Sequence, residues 1–159
     1  MRTVLIASVI AAAGCATQPE APVQTSMGSS TYQVERGGEV FALDASKARL
    51  GRRAGLGTMG GLGSYCAMSL DVRADGSVAR VKMLGSRSDQ LELVCRRAAY
   101  DWTLRVTRDG EPVPFDGLIG GIVIAGRNLG AGSGPESVSL GVTVTFDTEA
   151  ISAIRERRT

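Results

Sequence analysis

Residue types that carry catalytic chemistry are sparse in this chain of 159 residues. Histidine is absent, so the commonest general base and the commonest metal ligand are both missing. The acidic side chains are scattered through predicted turns and caps at Asp71, Asp75, Asp89, Glu92, Asp109 and Asp116. We therefore predict no catalytic residue, no metal site and no cofactor. A hydrolase that pairs two of these carboxylates from distant loops is the least favoured function.

The first of the cysteines, Cys15, ends an export-type segment. Arg2 gives a positive start, and the apolar run over residues 4–13 is shorter than the about 20 residues of a membrane span. Residues Ala12 to Cys15 resemble the lipobox of a bacterial lipoprotein signal, which implies cleavage before Cys15 and its lipidation. Ala16 is not the Asp that holds many lipoproteins at the inner membrane, so we expect an outer-membrane lipoprotein facing the periplasm. A plain secretory signal is the alternative.

The elements that position the other two cysteines begin with a hairpin. Apolar residues alternate over residues 66–72, which is the pattern of a half-buried strand. Asp75-Gly76 supplies a turn, and residues 78–84 form the return strand. Val78 and Val81 are three apart, so this strand shows both on one face only with a bulge or twist.

An amphipathic helix follows the hairpin. Its apolar stripe has a helical period and consists of Leu91, Val94, Cys95, Ala98, Ala99 and Trp102. Asp89 is its predicted N-cap, and Glu92 and Arg96 are spaced to attract each other. We expect the stripe to pack on one face of the hairpin, with Trp102 in the core.

Cys66 and Cys95 lie on the two apolar faces that are expected to meet. Exported chains live in oxidising surroundings, so we predict a Cys66–Cys95 disulfide. Closing a loop of this length is worth roughly 3–4 kcal/mol in the chain-entropy account. Two buried free thiols are the alternative.

The segments before this unit are predicted to be a lead-in. Residues 16–38 hold two prolines and few large apolar side chains, which favours a tether of about 25–30 Å. A short edge strand is predicted over Val40 to Leu43. The basic cluster that follows fits either contact with anionic lipid headgroups or a solvated helix starting near Asp44, and contains Lys47, Arg49, Arg52 and Arg53. The predicted domains are a signal peptide (1–14), a tether with lead-in (15–60) and a folded domain (61–159).

Two more strands and a helix are predicted downstream. Residues 118–125 form an apolar strand weakened by Gly120 and Gly121. The most regular strand pattern runs from Val138 to Phe146. Asp147 is placed to cap a short closing helix.

The order of elements from Cys66 to Val113 resembles the C-terminal domain of TonB-family proteins, over about a third of the chain. The resemblance is carried by a strand, a turn, a second strand and a helix, with Asp75 to Val78, Leu84, Ser86, Ala98, Ala99, Trp102, Gly110, Pro112 and Val113 at the matching places. Leu104, Val106 and Thr107 replace the aromatic and Pro-Ala pair of many members. The resemblance implies an α+β fold of the ββαβ type. It would have a small antiparallel sheet, one main helix on one face, and here an extra C-terminal strand and short helix.

The same resemblance implies a partner. TonB-type domains bind extended segments of outer-membrane transporters by adding a strand at a sheet edge, where backbone groups are unpaired. The edge predicted for this role consists of Val138, Leu140, Val142, Thr143, Val144, Thr145 and Phe146. The chain shows neither an inner-membrane helix nor a long Pro-rich span, so we expect a lipid-anchored binding module and not an energy transducer.

Two alternatives concern this edge. The strand is merely structural if the strand over residues 119–124 covers it, and a structural envelope lipoprotein would self-associate through it as a homo-oligomer. Nucleic acid is not an expected partner, because the formal net charge is +2 and aromatic residues make up 4% of the chain.

Overall fold

The computed structural model describes residues 21–28, 30–50, 64–128 and 138–156. Their elements are, in chain order, β1 (Val23–Ser26), β2 (Thr31–Arg36), β3 (Glu39–Asp44), β4 (Tyr65–Val72), β5 (Val78–Ser86), α1 (Asp89–Tyr100), β6 (Arg105–Arg108), β7 (Glu111–Pro112), β8 (Phe115–Asn128), β9 (Val138–Thr145) and α2 (Thr148–Glu156). This is an α+β fold, as predicted.

The strands form two antiparallel sheets rather than the predicted single one. Sheet A has the order β1-β2-β3-β6-β7, and sheet B has the order β5-β4-β8-β9. The strand after α1 is β6, which pairs with β3 in sheet A. The chain then returns as β8 beside β4 in sheet B. Between α1 and β8, the third strand beside the hairpin, the chain therefore passes through sheet A as β6 and β7.

Sheet A begins inside the segment predicted to be a tether, and that prediction is wrong from Val23 onward. Tyr32 and Val34 are buried, and β2 pairs with β3 across a turn at Gly37 and Gly38. Both glycines have positive φ, the conformation that a tight two-residue hairpin needs. These residues are therefore part of the folded core.

The structure at β3 and just after it differs from two further predictions. The strand predicted over Val40 to Leu43 is present, but it is interior, because it pairs with β2 on one side and β6 on the other. No helix starts at Asp44 within the described residues 45–50. Instead the chain turns, and the Ser46 amide donates to Asp44 Oδ1 at 2.9 Å. This bond is the main cause that lowers the pKa of the Asp44 carboxyl.

The β4–β5 hairpin contains the predicted bulge. The pairing runs Asp71↔Arg80 and then Val72↔Val78, which leaves one extra residue on β5. As a result both Val78 and Val81 are buried.

Helix α1 packs on this hairpin but begins with a different cap. Ser88 is the N-cap, and its Oγ accepts the Leu91 amide at 3.2 Å, so the assignment of this role to Asp89 is wrong. The predicted ion pair is present on the solvent-facing side of α1, where Arg96 Nη2 lies 2.5 Å from Glu92 Oε1.

A disulfide joins Cys66 of β4 to Cys95 of α1, as predicted, with 6.7 Å between the Cα atoms. Both residues are buried. The bond ties α1 to β4, which pairs with both β5 and β8.

Adjacent glycines in β8 allow close packing on both faces of sheet B. A Cβ at Gly120 would lie 3.1 Å from the Phe146 ring, and one at Gly121 would lie 2.9 Å from Ile151 Cγ1 of α2. The closing helix is capped as predicted, since Asp147 Oδ1 accepts the Glu149 amide at 2.9 Å.

The core between the sheets is tied together by aromatic side chains. Phe146 makes edge contacts with Tyr32 of sheet A and with Trp102, at centroid distances of 5.5 and 5.7 Å. Phe41 and Phe115 make a similar contact between the sheets at 5.1 Å. Trp102 is therefore a core residue, as expected.

Candidate partner-binding edge

Within the described ranges the two sheets end in four edge strands, and three of them are blunted. Sheet A ends in β1, with four residues, and in β7, with two residues including Pro112. β5 is long, but it carries Arg80 and Lys82 and has two register shifts against β4. Short length, proline, charge and bulges are the features that keep sheet edges from pairing with other chains. The fourth edge, β9, differs in each respect.

β9 is a regular and uncharged edge strand. Its eight residues include no Asp, Glu, Lys, Arg or Pro. They pair one to one with β8, from Gly121↔Thr145 to Asn128↔Val138, without a shift. Among the residues that the structure describes, no second strand pairs with β9. The predicted edge strand thus lies at a sheet edge and is not covered by the strand over residues 119–124, which is its partner on the inner side.

The direction of the backbone groups follows from two hydrogen bonds of β8. The Ile124 amide donates to Ser64 O, on the β4 side, at 2.9 Å. The Ile119 amide points to the opposite side and donates to Gln24 Oε1 at 2.8 Å. Since backbone direction alternates along an antiparallel strand, even-numbered residues of β8 face β4 and odd-numbered ones face β9.

Val142 and Val144 consequently carry backbone groups that have no strand partner among the residues described. They stand opposite Ile124 and Ile122, whose amides face β4, so both pairs are of the non-hydrogen-bonded type. The N–H and C=O of Val142 and Val144 therefore point outward. Val142 is 39% exposed.

The other predicted edge residues fall into three groups. Thr143 is exposed, and its backbone faces β8, while the Thr145 side chain is half-buried. The side chains of Val138 and Leu140 lie outside the described residues, although both positions belong to β9. Phe146 lies one residue beyond the strand, and its ring is 1% exposed in the core, so its side chain is not part of the exposed edge.

The free edge stops at the side chain of Gln24 from β1. Gln24 Nε2 donates to Ile119 O at 2.8 Å and to Phe146 O at 2.7 Å, while its Oε1 accepts the Ile119 amide. The carboxamide thus pairs with Ile119 as a neighbouring strand would. The backbone of Gln24 also exchanges two hydrogen bonds with the Thr148 hydroxyl, at 3.1 and 3.0 Å. β1 therefore closes sheet B where β9 ends.

A cavity of about 270 Å³ lies beside the end of β9, lined by Ser30, Tyr32, Ala45, Ser46, Ala48, Arg49, Val144 and Phe146. The segment over residues 45–49 is held in place because Trp102 Nε1 donates to Arg49 O at 3.2 Å. Ser46 and Arg49 are exposed, whereas Tyr32 and Phe146 are buried. The accessible wall of the cavity is therefore mostly polar.

The predicted basic cluster is only partly described. Lys47 lines a second cavity of about 330 Å³, whose walls carry both signs of charge and include Asp44, Asp75, Lys47 and Arg105. Arg49 Nε donates to Ser46 O at 3.2 Å. Arg52, Arg53 and the predicted lipid anchor Cys15 lie outside the described residues.

The acidic residues near β4 and β8 have structural contacts. Asp71 Oδ1 accepts the Gly117 amide at 3.0 Å, where the pairing of these strands shifts. Asp71 Oδ2 also lies 3.7 Å from Arg80 Nε. The Arg36 guanidinium stacks 4.0 Å above the Phe115 ring, and burial lowers the pKa of Arg36 against the opposing effect of nearby acids.

The described part of the chain shows neither a metal-binding cluster nor a membrane-spanning helix. Within the described ranges, His, Cys, Asp and Glu side chains form no group of three or more that could hold a metal ion. No helix in that part of the chain has the length and apolar character needed to cross a membrane.

Gln24 was not singled out from the sequence, and neither were the cavity residues Ser30, Tyr32, Ala45, Ser46 and Ala48. The hairpin that carries Tyr32 has a readable signal, since Tyr32-Val34 and Phe41-Leu43 alternate on either side of Gly37-Gly38. Gln24 has no such signal, because its partners are more than 90 residues away in sequence.

Comparison with known proteins gives no relative. No protein-family model matches the chain, and neither a curated protein nor a solved structure does.

Proposed function

We propose that this protein is a lipid-anchored, TonB-like binding module of the bacterial cell envelope, which binds an extended segment of a partner protein by adding it as a strand to β9. The partner class is an outer-membrane transporter or another envelope protein. Lipid on Cys15 holds the module at the outer membrane, facing the periplasm. The proposal assigns no catalytic activity to the chain.

The observation that carries the proposal is the contrast between β9 and the other three edges. An uncharged, regular strand with outward N–H and C=O groups is a template for strand addition. The protein protects β1, β5 and β7 against such pairing but not β9. The ββα order of β4, β5 and α1, with β8 as the third strand beside β4, also supports the TonB-like resemblance.

Self-association through β9 is the second candidate. Two copies present the same uncharged edge to each other, and an antiparallel pairing of identical strands satisfies a two-fold interface. A structural envelope lipoprotein would use the edge in this way.

Proline substitutions test whether β9 is used, and the capture result together with the oligomeric state separates the two functions. Val144→Pro removes an outward N–H and leaves the pairing with β8 intact, since proline is tolerated where an edge N–H faces solvent. Met83→Pro is the matched control, because Met83 stands opposite Met68 in a pair of the same non-hydrogen-bonded type on the edge of β5.

The full chain in detergent is used to capture proteins from solubilised envelope, and its own oligomeric state is measured by native mass spectrometry. We expect captured outer-membrane transporters to be lost with Val144→Pro and retained with Met83→Pro. A homo-oligomer that only Val144→Pro dissociates would replace the binding module with the structural reading. Binding and oligomeric state that ignore both substitutions would overturn the use of β9.

A further inference from the structure

We propose that Gln24 determines where a strand added to β9 must end, so that the partner segment pairs as far as Val144 and leaves the sheet there. This inference rests on the proposed function. It adds a residue of β1 to the binding edge and defines one end of the segment that the edge accepts.

The outward backbone groups of β9 come at every second residue. Val138, Leu140, Val142 and Val144 stand opposite even-numbered residues of β8, so their N–H and C=O groups point away from β8. The pairing of the two strands has no register shift. An added strand therefore finds a continuous ladder of backbone groups that runs toward β1.

Beyond Val144, the next outward carbonyl is already in use. Gln24 Nε2 donates to Phe146 O at 2.7 Å and to Ile119 O at 2.8 Å. These bonds use both hydrogens of the amide nitrogen, and Oε1 accepts the Ile119 amide at 2.8 Å. Gln24 and Phe146 are each 1% exposed, so no backbone group from outside reaches Phe146 O while the carboxamide stays in place.

The carboxamide is held in this position by the backbone of β1. The Gln24 N–H donates to the Thr148 hydroxyl at 3.1 Å, and the same hydroxyl donates to Gln24 O at 3.0 Å. All four residues of β1 pair with β2. Gln24 is therefore fixed both by sheet A and by α2, and a partner displaces it only by breaking these bonds as well.

A segment that continued past Val144 would gain nothing from its next inward N–H. That group would lose its hydration without meeting a free acceptor, which disfavours pairing. A segment that turns away after Val144 keeps the same N–H in water. The edge consequently favours partners whose extended stretch ends at this point.

The test begins with random displayed peptides of about fifteen residues, longer than an ordinary strand, selected on the full chain. Each residue of a selected peptide is then N-methylated in turn, which removes one N–H, and affinities are measured by fluorescence polarisation. A photocrosslinker at either end of the peptide, mapped by mass spectrometry, identifies the end that lies beside β1.

The parent protein alone can overturn the proposal. N-methylation should weaken binding about fivefold at the peptide residues opposite Val142 and Val144, as expected for the loss of one backbone hydrogen bond. At the residue that would stand opposite Phe146, methylation should leave the affinity unchanged. Deleting the peptide residues beyond the one opposite Val144 should also leave it unchanged.

A variant of the protein assigns the effect to Gln24. Gln24→Ala removes the carboxamide and opens the space in front of Phe146 O, so methylation opposite Phe146 should now weaken binding about fivefold. Gln33→Ala is the matched control, because Gln33 lies on β2 and its Nε2 donates to Glu35 of the same strand. Gln24→Asn, whose carboxamide is one methylene shorter, replaces Gln24→Ala if that variant does not fold.

The outcomes distinguish the end of the ladder from the ladder itself. If methylation past the Val144 position weakens binding to the parent protein, or if folded Gln24→Ala keeps the parent pattern, the role of Gln24 is overturned and strand addition stands. If no binder is selected, or if the selected peptides bind Val144→Pro as well as the parent protein, both this role and the proposed function are overturned.

Discussion

At the scale of single residues, Gln24 connects the two sheets. Its buried carboxamide serves three backbone groups of sheet B, two on Ile119 and one on Phe146. Gln24→Leu removes every one of these bonds and leaves buried polar groups unpaired, so we expect a loss of about 3 kcal/mol in the free energy of unfolding. Urea unfolding with the disulfide intact measures it, and a loss below about 1 kcal/mol would show that water replaces the amide.

Gln24→Glu turns the same site into a pH-dependent one. The carboxylate would face the carbonyl oxygens of Ile119 and Phe146 in a buried position, which raises the pKa of the new carboxyl in the folded state. Because the pKa of Glu at this position is higher in the folded than in the unfolded state, the protonated carboxyl favours folding. This contribution to the free energy of unfolding is complete below the unfolded-state pKa of about 4.3 and is lost as the pH rises through the folded-state pKa. The variant should therefore lie closer to the parent protein at pH 4 than at pH 7. If urea unfolding gave the same loss of unfolding free energy relative to the parent protein at both pH values, this account would be contradicted.

The close packing around Gly121 explains why glycine, an unfavourable residue within a strand, occupies this position of β8. Gly121→Ala places a Cβ 2.9 Å from Ile151 Cγ1, and we expect it to cost about 1–3 kcal/mol by overpacking. Ile151→Ala makes room, so the double variant should lose less than the sum of the two single variants. Thermal unfolding of all four proteins tests this, and strict additivity would place the strain elsewhere.

At the scale of elements, the disulfide holds α1 on sheet B. We expect the double variant Cys66→Ala, Cys95→Ala to lose roughly 3–4 kcal/mol in unfolding free energy, chiefly because the unfolded chain gains freedom. Reducing the parent protein should lower its melting temperature in parallel. A reductant effect that persists in the double variant would show that the disulfide is not its cause.

Elements with a strong local pattern were predictable from the sequence. The β4–β5 hairpin and its bulge, the stripe of α1, the regular alternation of β9 and the Asp147 cap of α2 all depend on neighbours a few residues apart. Of sheet A only the segment of β3 was predicted as a strand, and β1 and β2 were assigned to the tether. They follow a segment rich in Pro and Ser, although Tyr32 and Val34 alternate with polar residues as strand residues do. The pairing of β6 with β3 joins residues more than 60 positions apart, and no local pattern encodes it.

At the scale of the whole molecule, the folded part starts close to the proposed anchor. Only residues 16–22 separate Cys15 from β1, so the chain between them reaches no further than about 28 Å even when fully extended. The site was predictable only in part, because the edge strand is one segment of the chain, whereas the cavity beside its end is lined by three segments.

Anchoring itself has a direct test. Cys15→Ala should move the protein from the membrane fraction to the soluble fraction and remove the added acyl mass from the mature chain. The double variant Cys66→Ala, Cys95→Ala loses two other cysteines and should stay with the membrane. A parent protein that carries no acyl mass and is found in the soluble fraction would favour the plain secretory alternative.

The position of Gln24 also determines how the anchored protein would respond to tension. A pull on the anchor reaches β1 first at Val23, which pairs with Glu35 at the open end of the β1–β2 hairpin. Loaded there, the ladder to β2 separates one bond at a time. The Gln24 carboxamide resists this separation, because it is bonded to Ile119 and Phe146 and not to β2. If these bonds broke, the Ile119 backbone and Phe146 O would lose their Gln24 partner. Under the proposed anchoring and strand addition, the edge that begins in β9 would then extend into β8 under load.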